Sequence, residues 1–343
     1  MLRKLTLSGI TALLLLVAAP AWACGGLVAP NGTISLLRTS TLAAYTNGVE
    51  HYITSFEFAG GGAEFGSIIP LPGVPTKVER GGDWTLQRLV REVAPPAPEA
   101  AALFSADSAR AGKAVELINV TIDALDITVL EGGGFAVGEW AADHGFNLTP
   151  DAPELLDFYA NRSPIFMAAR FNAASARERG QNVGDGTPIH LTIPTPNPWV
   201  PLRILGLGRN PTERVEADVF LLTERTPALL PLAGDGYTLE RSEPASDLLL
   251  SDLRSDKGMK WLPSTGMWFS YLPINASANQ LKYDLAIDQS GAEQPSPRMA
   301  GLPVSKRVAP STGFAAFILG GGLLALAAAL VITSTRRWTP VEK

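Results

Sequence analysis

Three histidines (His51, His144 and His190), a single cysteine (Cys24) and 33 acidic residues are the groups with which this 343-residue sequence could ligate a metal or move a proton. Histidine is the side chain whose unperturbed pKa lies closest to neutrality, so each one is a candidate base or ligand. Their placement argues against a shared site, because no HxH pair and no zinc helix HExxH occurs. In Ile189-His190-Leu191-Thr192-Ile193 the apolar residues alternate inward, which turns His190 outward beside Thr192. Along the preceding run Tyr52, Thr54, Phe56 and Phe58 share one face and His51, Ser55 and Glu57 the other, so His51 is expected at water. His144 closes a helix, where a partly cationic imidazole suits the carboxyl-terminal dipole. No metal and no cofactor is expected.

Other chemistries fail on the residues they require. A phosphate-binding loop needs a hydroxyl after Gly-Lys, but Ala114 follows Gly112-Lys113 and Asp107 stands where the first glycine belongs. The nucleophile elbow GxSxG is absent. Two glycine triplets, at 60 and 132, do not complete GxGxxG, since Phe65 and Val137 occupy the third glycine's place. One cysteine excludes an intramolecular disulfide and any CxxC site. The acidic residues are too many for a catalytic pair to be picked out by spacing, so no catalytic residue is assigned. What remains is aromatic: Trp199 within a proline-rich run, with Trp261, Trp268 and Tyr271, could line a carbohydrate- or peptide-binding surface. The alternative is that these rings fill the core of a strand-rich domain.

The two ends give the address. Arg3 and Lys4, an apolar run from Gly9 to Ala19 and Pro20-Ala21-Trp22-Ala23 form a secretory signal peptide, residues 1–23, with cleavage after Ala23. Cys24 would then become the first mature residue and a candidate for lipid modification, although Ala21, Trp22 and Ala23 fit a lipoprotein signal poorly. Gly313 to Ile332 is an uncharged segment long enough, as a helix, to cross a bilayer. Arg336, Arg337 and Lys343 follow as a cytoplasmic flank. The expectation is a single-pass protein of type I topology, its body outside the cytoplasmic membrane and its tail, 333–343, inside.

Without the basic and acidic residues of the two ends, 23 Lys and Arg face 32 Asp and Glu, a net charge of about −9. An acidic exported body has no electrostatic footprint for nucleic acid. The expected fold is α+β, mainly antiparallel strands with several short helices packed on them. Residues 24–94 form a β-rich unit in which Asn47-Gly48 makes a tight hairpin turn. Asp83 to Val93 has helical spacing. Residues 95–112 are an Ala/Pro-rich linker or excursion. Residues 113–287 form an α+β unit, with strands expected at 115–122, 125–130, 165–171, 189–193, 202–205, 215–222 and 280–287. Its helices are expected at 135–144, capped by Gly145, from Asp151, boxed by Glu154, to before Pro164, and at 242–256. Residues 173–187 read as an exposed connection, and 288–312 as a flexible stalk.

Ala23-Cys24-Gly25-Gly26, Ile68-Ile69-Pro70-Leu71-Pro72-Gly73-Val74-Pro75, Ile127-Thr128-Val129-Leu130-Glu131, Glu139-Trp140-Ala141, Gly145-Phe146 and Phe158-Tyr159 occur in an order that resembles domain of unknown function 2330, a family of exported bacterial proteins. The similarity spans roughly residues 23 to 225. It implies a signal peptide, a mature start at Ala-Cys-Gly-Gly and often a C-terminal span, and it supplies no activity and no catalytic residues. Many relatives carry a second cysteine soon after the first, where this chain has Val28 and Ala29. The expected function is therefore a non-enzymatic binding or structural module of the bacterial envelope, with a protein or polymer partner. The rival is an envelope hydrolase whose site is assembled from residues remote in sequence.

Overall fold

The computed structural model describes residues 27–28, 35–59, 65–93, 114–146, 148–179, 186–232 and 236–303. The expected signal peptide, Cys24, the 95–112 segment, the 313–332 segment and the 333–343 tail lie outside them. Among the described residues no helix is long and apolar enough to cross a membrane.

In chain order the elements are β1 (Leu27–Val28), β2 (Ser35–Thr46), β3 (Val49–Ala59), β4 (Phe65–Leu71), β5 (Lys77–Arg80), α1 (Thr85–Val93), β6 (Val115–Ile122), β7 (Leu125–Glu131), α2 (Gly134–Asp143) and α3 (Ala152–Ala160). They continue as β8 (Ile165–Phe171), α4 (Ala173–Glu178), β9 (Ile189–Pro194), β10 (Trp199–Val200), β11 (Arg214–Thr223), β12 (Ala228–Leu230), β13 (Arg241–Pro244), α5 (Asp247–Ser255), β14 (Trp268–Ser277) and β15 (Leu285–Asp288). The fold is mixed α+β with mainly antiparallel sheets.

A seven-stranded sheet has the order β13-β14-β11-β2-β3-β9-β5. Its neighbours are antiparallel except β2 and β11, which run parallel with Thr39 opposite Ala217. A five-stranded antiparallel sheet, β1-β4-β8-β7-β6, and a three-stranded one, β10-β15-β12, complete the body. Strands from either side of residues 95–112 thus share sheets.

Both faces of the large sheet are covered, and its alternating residues feed two cores. Leu42, Ala44, Ile53, Phe220, Leu222 and Phe269 pack with Leu86 and Leu89 of α1 and Leu249, Leu250 and Leu253 of α5. Ala43, Tyr52, Leu191, Val219 and Leu272 on the opposite face join a larger core with β4, β7, β8, α2 and α3. The two helices of the smaller core are tied by Asp256, just after α5, whose carboxylate accepts from the backbone N–H groups of Asp83 and Trp84 at 3.0 Å and from Thr85 Oγ1 at 2.7 Å. It satisfies donors that open α1 and have no intrahelical partner. Gly82 makes this approach possible, since a Cβ there would stand 2.2 Å from Asp256 Oδ2.

The hairpin turns at Asn47-Gly48, with φ of 52° and 76°, as the primed turn requires. Pro70 pairs with Phe166 of β8 and lies beyond the two β4 residues that pair with β1. Gly145 adopts φ 82° after α2, and His144 caps that helix.

Several expectations are corrected. Residues 203–206 are a 3-10 turn, with the short strand β10 before it. The helix expected from Ser242 is split: Pro244 ends β13, and Ser246 caps α5 by accepting from Leu249 N–H at 3.1 Å. Asp151 does not cap α3 through its side chain, which instead accepts from Gly208 N–H at 3.0 Å. The connection after β8 contains α4, whose Ala176 is buried. Up to Pro303 the segment taken for a stalk is packed: Ala300 is buried, its carbonyl accepts from Asp284 N–H at 3.0 Å, and the Met299 carbonyl accepts from Arg162.

Candidate functional site

The expectation that His51 and His190 face water is wrong, because alternation tells which residues share a face and not which face is wet. Here the supposedly polar face lies under α1, α5 and the loop after α5. In the β3–β9 ladder His51 stands opposite Thr192 and His190 opposite Ile53, which makes the two imidazoles diagonal neighbours on one face. β5 then sets Glu79 opposite His190 and Lys77 opposite Thr192.

His51 Nδ1 lies 3.0 Å from His190 Nε2. The ring centroids are 5.2 Å apart, close to that distance plus two ring radii, so the two nitrogens point along one line. On its far side His190 Nδ1 is 3.5 Å from Glu79 Oε1, and Glu79 Oε2 is 2.6 Å from Lys77 Nζ. Trp261 stacks flat on His51, centroids 3.6 Å apart with 3° between planes. The loop carrying Trp261 is held to the end of α5 by Arg254, which donates to the carbonyls of Lys260 and Leu262. His51 keeps 9% exposure and His190 2%.

Burial disfavours the charged imidazole at both positions. It lowers His51 to about 3, with His190 adding to the effect and Glu79 opposing it. It lowers His190 to about 4, helped by Lys77. Both rings are therefore neutral at pH 7. A carboxylate beside Nδ1 of His190 favours the proton there, which leaves Nε2 as acceptor and His51 Nδ1–H as donor.

The aromatic residues singled out by sequence do not form one surface. Trp199 is fully buried in the larger core, stacked 5.8 Å from Tyr159, and Tyr271 is 7% exposed, its hydroxyl donating to Asp218 at 2.8 Å. Trp268 is half-buried and donates from Nε1 to Ser242 Oγ at 2.9 Å. Of these rings, Trp261 is the one that packs on the histidine pair. His144 stays apart, stacked on Trp140 at 3.8 Å with Nδ1 2.7 Å from the Trp140 carbonyl. Among the described residues no group of three or more His, Cys, Asp or Glu side chains converges as a metal site.

Asp284 and Glu50 are buried acids that the sequence did not single out. Asp284 is a hub: Oδ1 accepts from Tyr159 Oη at 2.8 Å and from the backbone N–H groups of Leu202 at 2.7 Å and Arg203 at 2.9 Å, while Oδ2 pairs with Arg162. The Arg162 guanidinium is also stacked over Phe158, Tyr159 and Trp199. Every charge in this cluster has partners, so it ties α3, the 202–206 turn and β15 together. Glu50, in contrast, is fully buried and neither carboxyl oxygen has a partner among the described residues. Burial raises its pKa to about 8.

These features define an α+β body with a covered imidazole pair. The chain belongs to the family described as uncharacterized protein conserved in bacteria (DUF2330), whose model matches residues 18–226. No curated protein gives a significant match. Among solved structures, baculovirus P35 is similar at 10% identity with a TM-score of 0.38, covering 75% of this chain and 97% of that one. A mutated baculovirus P35 after caspase cleavage is similar at 9% identity with a TM-score of 0.39, covering 74% and 99%.

Proposed function

We propose that this is an exported protein of the bacterial envelope, cut after Ala23 and held in the cytoplasmic membrane by residues 313–332, whose body binds a protein or polymer partner without turning it over. The observation that carries the address is the contrast between the two apolar ends. The first is short, basic-tipped and followed by a small-x-small site, while the second is a 20-residue uncharged run with a basic flank. Binding is supported by apolar side chains left at the surface: Phe135 is 77% exposed in the first turn of α2, and Val115 is 65% exposed on β6, an edge strand of the five-stranded sheet. An edge strand offers unpaired backbone groups to an extended partner. Protease added to intact spheroplasts should digest the body and spare a short C-terminal fragment. A body protected until the membrane is broken would end the proposal. For the partner, a photocrosslinker at Phe135 should capture a discrete envelope product that one at buried Tyr159 does not.

The hydrolase reading draws on the imidazole pair beside Glu79. It ranks second because an imidazole that protonates only near 3 accepts a proton poorly at pH 7.

A further inference from the structure

We propose that His51 and His190 are a binding site for a soft monovalent cation, copper(I), held in line between their facing nitrogens. This goes beyond the envelope reading and stands without it. The geometry comes first. Two-coordinate ligation wants two lone pairs on one axis, and here His51 Nδ1 and His190 Nε2 already lie on one, 3.0 Å apart. With metal–nitrogen bonds of about 2.0 Å the nitrogens of a linear pair stand about 4 Å apart, so the rings need to separate by about 1 Å. A tetrahedral or square ion would instead require both rings to turn.

The protonation chemistry is compatible. At 3.0 Å the facing nitrogens share one proton between them. Moving that proton to Nε2 of His51 frees both lone pairs, so the ion enters by a tautomer change with no net loss of protons. Glu79 beside Nδ1 of His190 supplies the outer carboxylate that typically orients a ligating imidazole.

The charge balance selects the ion's valence. Glu79 is offset by Lys77 at 2.6 Å, so little net negative charge is available to the site. Taking a divalent ion out of water there costs far more than a monovalent one. The indole of Trp261, stacked on His51, presents a π face that attracts a cation. With two imidazoles and no converging third ligand among the described residues, copper(I) is the first-row ion suited to such a low coordination number, and silver(I) is its redox-inert counterpart.

The test uses the full-length chain in detergent, carrying Cys24→Ser to remove the thiol, titrated anaerobically with copper(I) and separately with silver(I), with zinc(II) as contrast. One silver or copper ion per chain should survive desalting. His51→Gln and His190→Gln should each weaken binding at least 100-fold, and Glu79→Gln about 10-fold. Thermal melts of the variants establish that they fold. Should they not, the nitrogen-15 spectrum of the parent decides, since silver(I) must shift the ring nitrogens of His51 and His190 and leave those of His144. No retained ion, retention undiminished in both Gln variants, unchanged His51 and His190 resonances, or zinc(II) taken up in preference to silver(I) would each overturn the proposal.

Discussion

Asp256 sits at the end of one helix and serves the start of another, and that division of labour has a pH signature. Hydrogen bonds from Thr85, Trp84, Lys257 and Asp83 hold its carboxyl below the usual 3.8, against the opposing effect of burial. A depressed folded-state pKa contributes stability that is present above 3.8 and lost as the pH falls towards the folded value. Asp256→Ala should cost about 1–2 kcal/mol at pH 7 in urea unfolding, a loss that shrinks below pH 3.8. Glu50 has the opposite sign. Its pKa rises from 4.5 to about 8, so its contribution is complete below 4.5 and drains away as the pH climbs through 8. Glu50→Gln should flatten that decline, and the gap in melting temperature between variant and parent should widen from pH 5 to pH 8; parallel curves would refute the assignment. Neither acid was legible in the sequence. Glu50 is buried only once the strands have assembled, and the Asp83, Trp84 and Thr85 donors precede Asp256 by more than a hundred and fifty residues.

At the scale of elements, local chemistry was readable wherever it closed on itself. Asn47-Gly48 named its own hairpin, and Gly145 its own helix end, because both need only a residue that tolerates positive φ. Gly48→Ala should cost about 1–2 kcal/mol from backbone strain alone, since nothing lies within 4 Å of a Cβ there; an unchanged urea midpoint would contradict the turn. The His51–His190 pair was hidden for a related reason. Period two sorted each strand into faces correctly, but α1 and α5, which cover the histidine face, contribute through Leu86, Leu89 and Leu253, and no strand pattern announces a roof. Residues 242–256 show the limit of helical spacing: Pro244 and Ser246 mark a strand end and a cap within one apolar rhythm.

For the whole molecule, the order of elements was visible and their partners were not. The α+β character followed from strands interleaved with short helices, whereas pairing of β2 with β11 joins residues that no local signal connects. The packed boundary also falls later than composition suggested. A chain ending at Pro303 should melt like the full body, and one ending at Asp288 several degrees lower, because it lacks the carbonyls of Met299 and Ala300 that engage Arg162 and Asp284. Equal melting of the two would remove any role for 289–302. The parallel seam at the centre of the large sheet has a further consequence for biogenesis. On the proposed export route, a polypeptide threaded across a membrane amino end first delivers Thr39 long before Ala217, so the early ribbon β2–β3 emerges with one side unzipped and both faces greasy. We expect nascent molecules to lean on holdase chaperones beyond the membrane until β11 arrives, and depleting those chaperones should drive the newly made protein into aggregates while sparing the pool already folded.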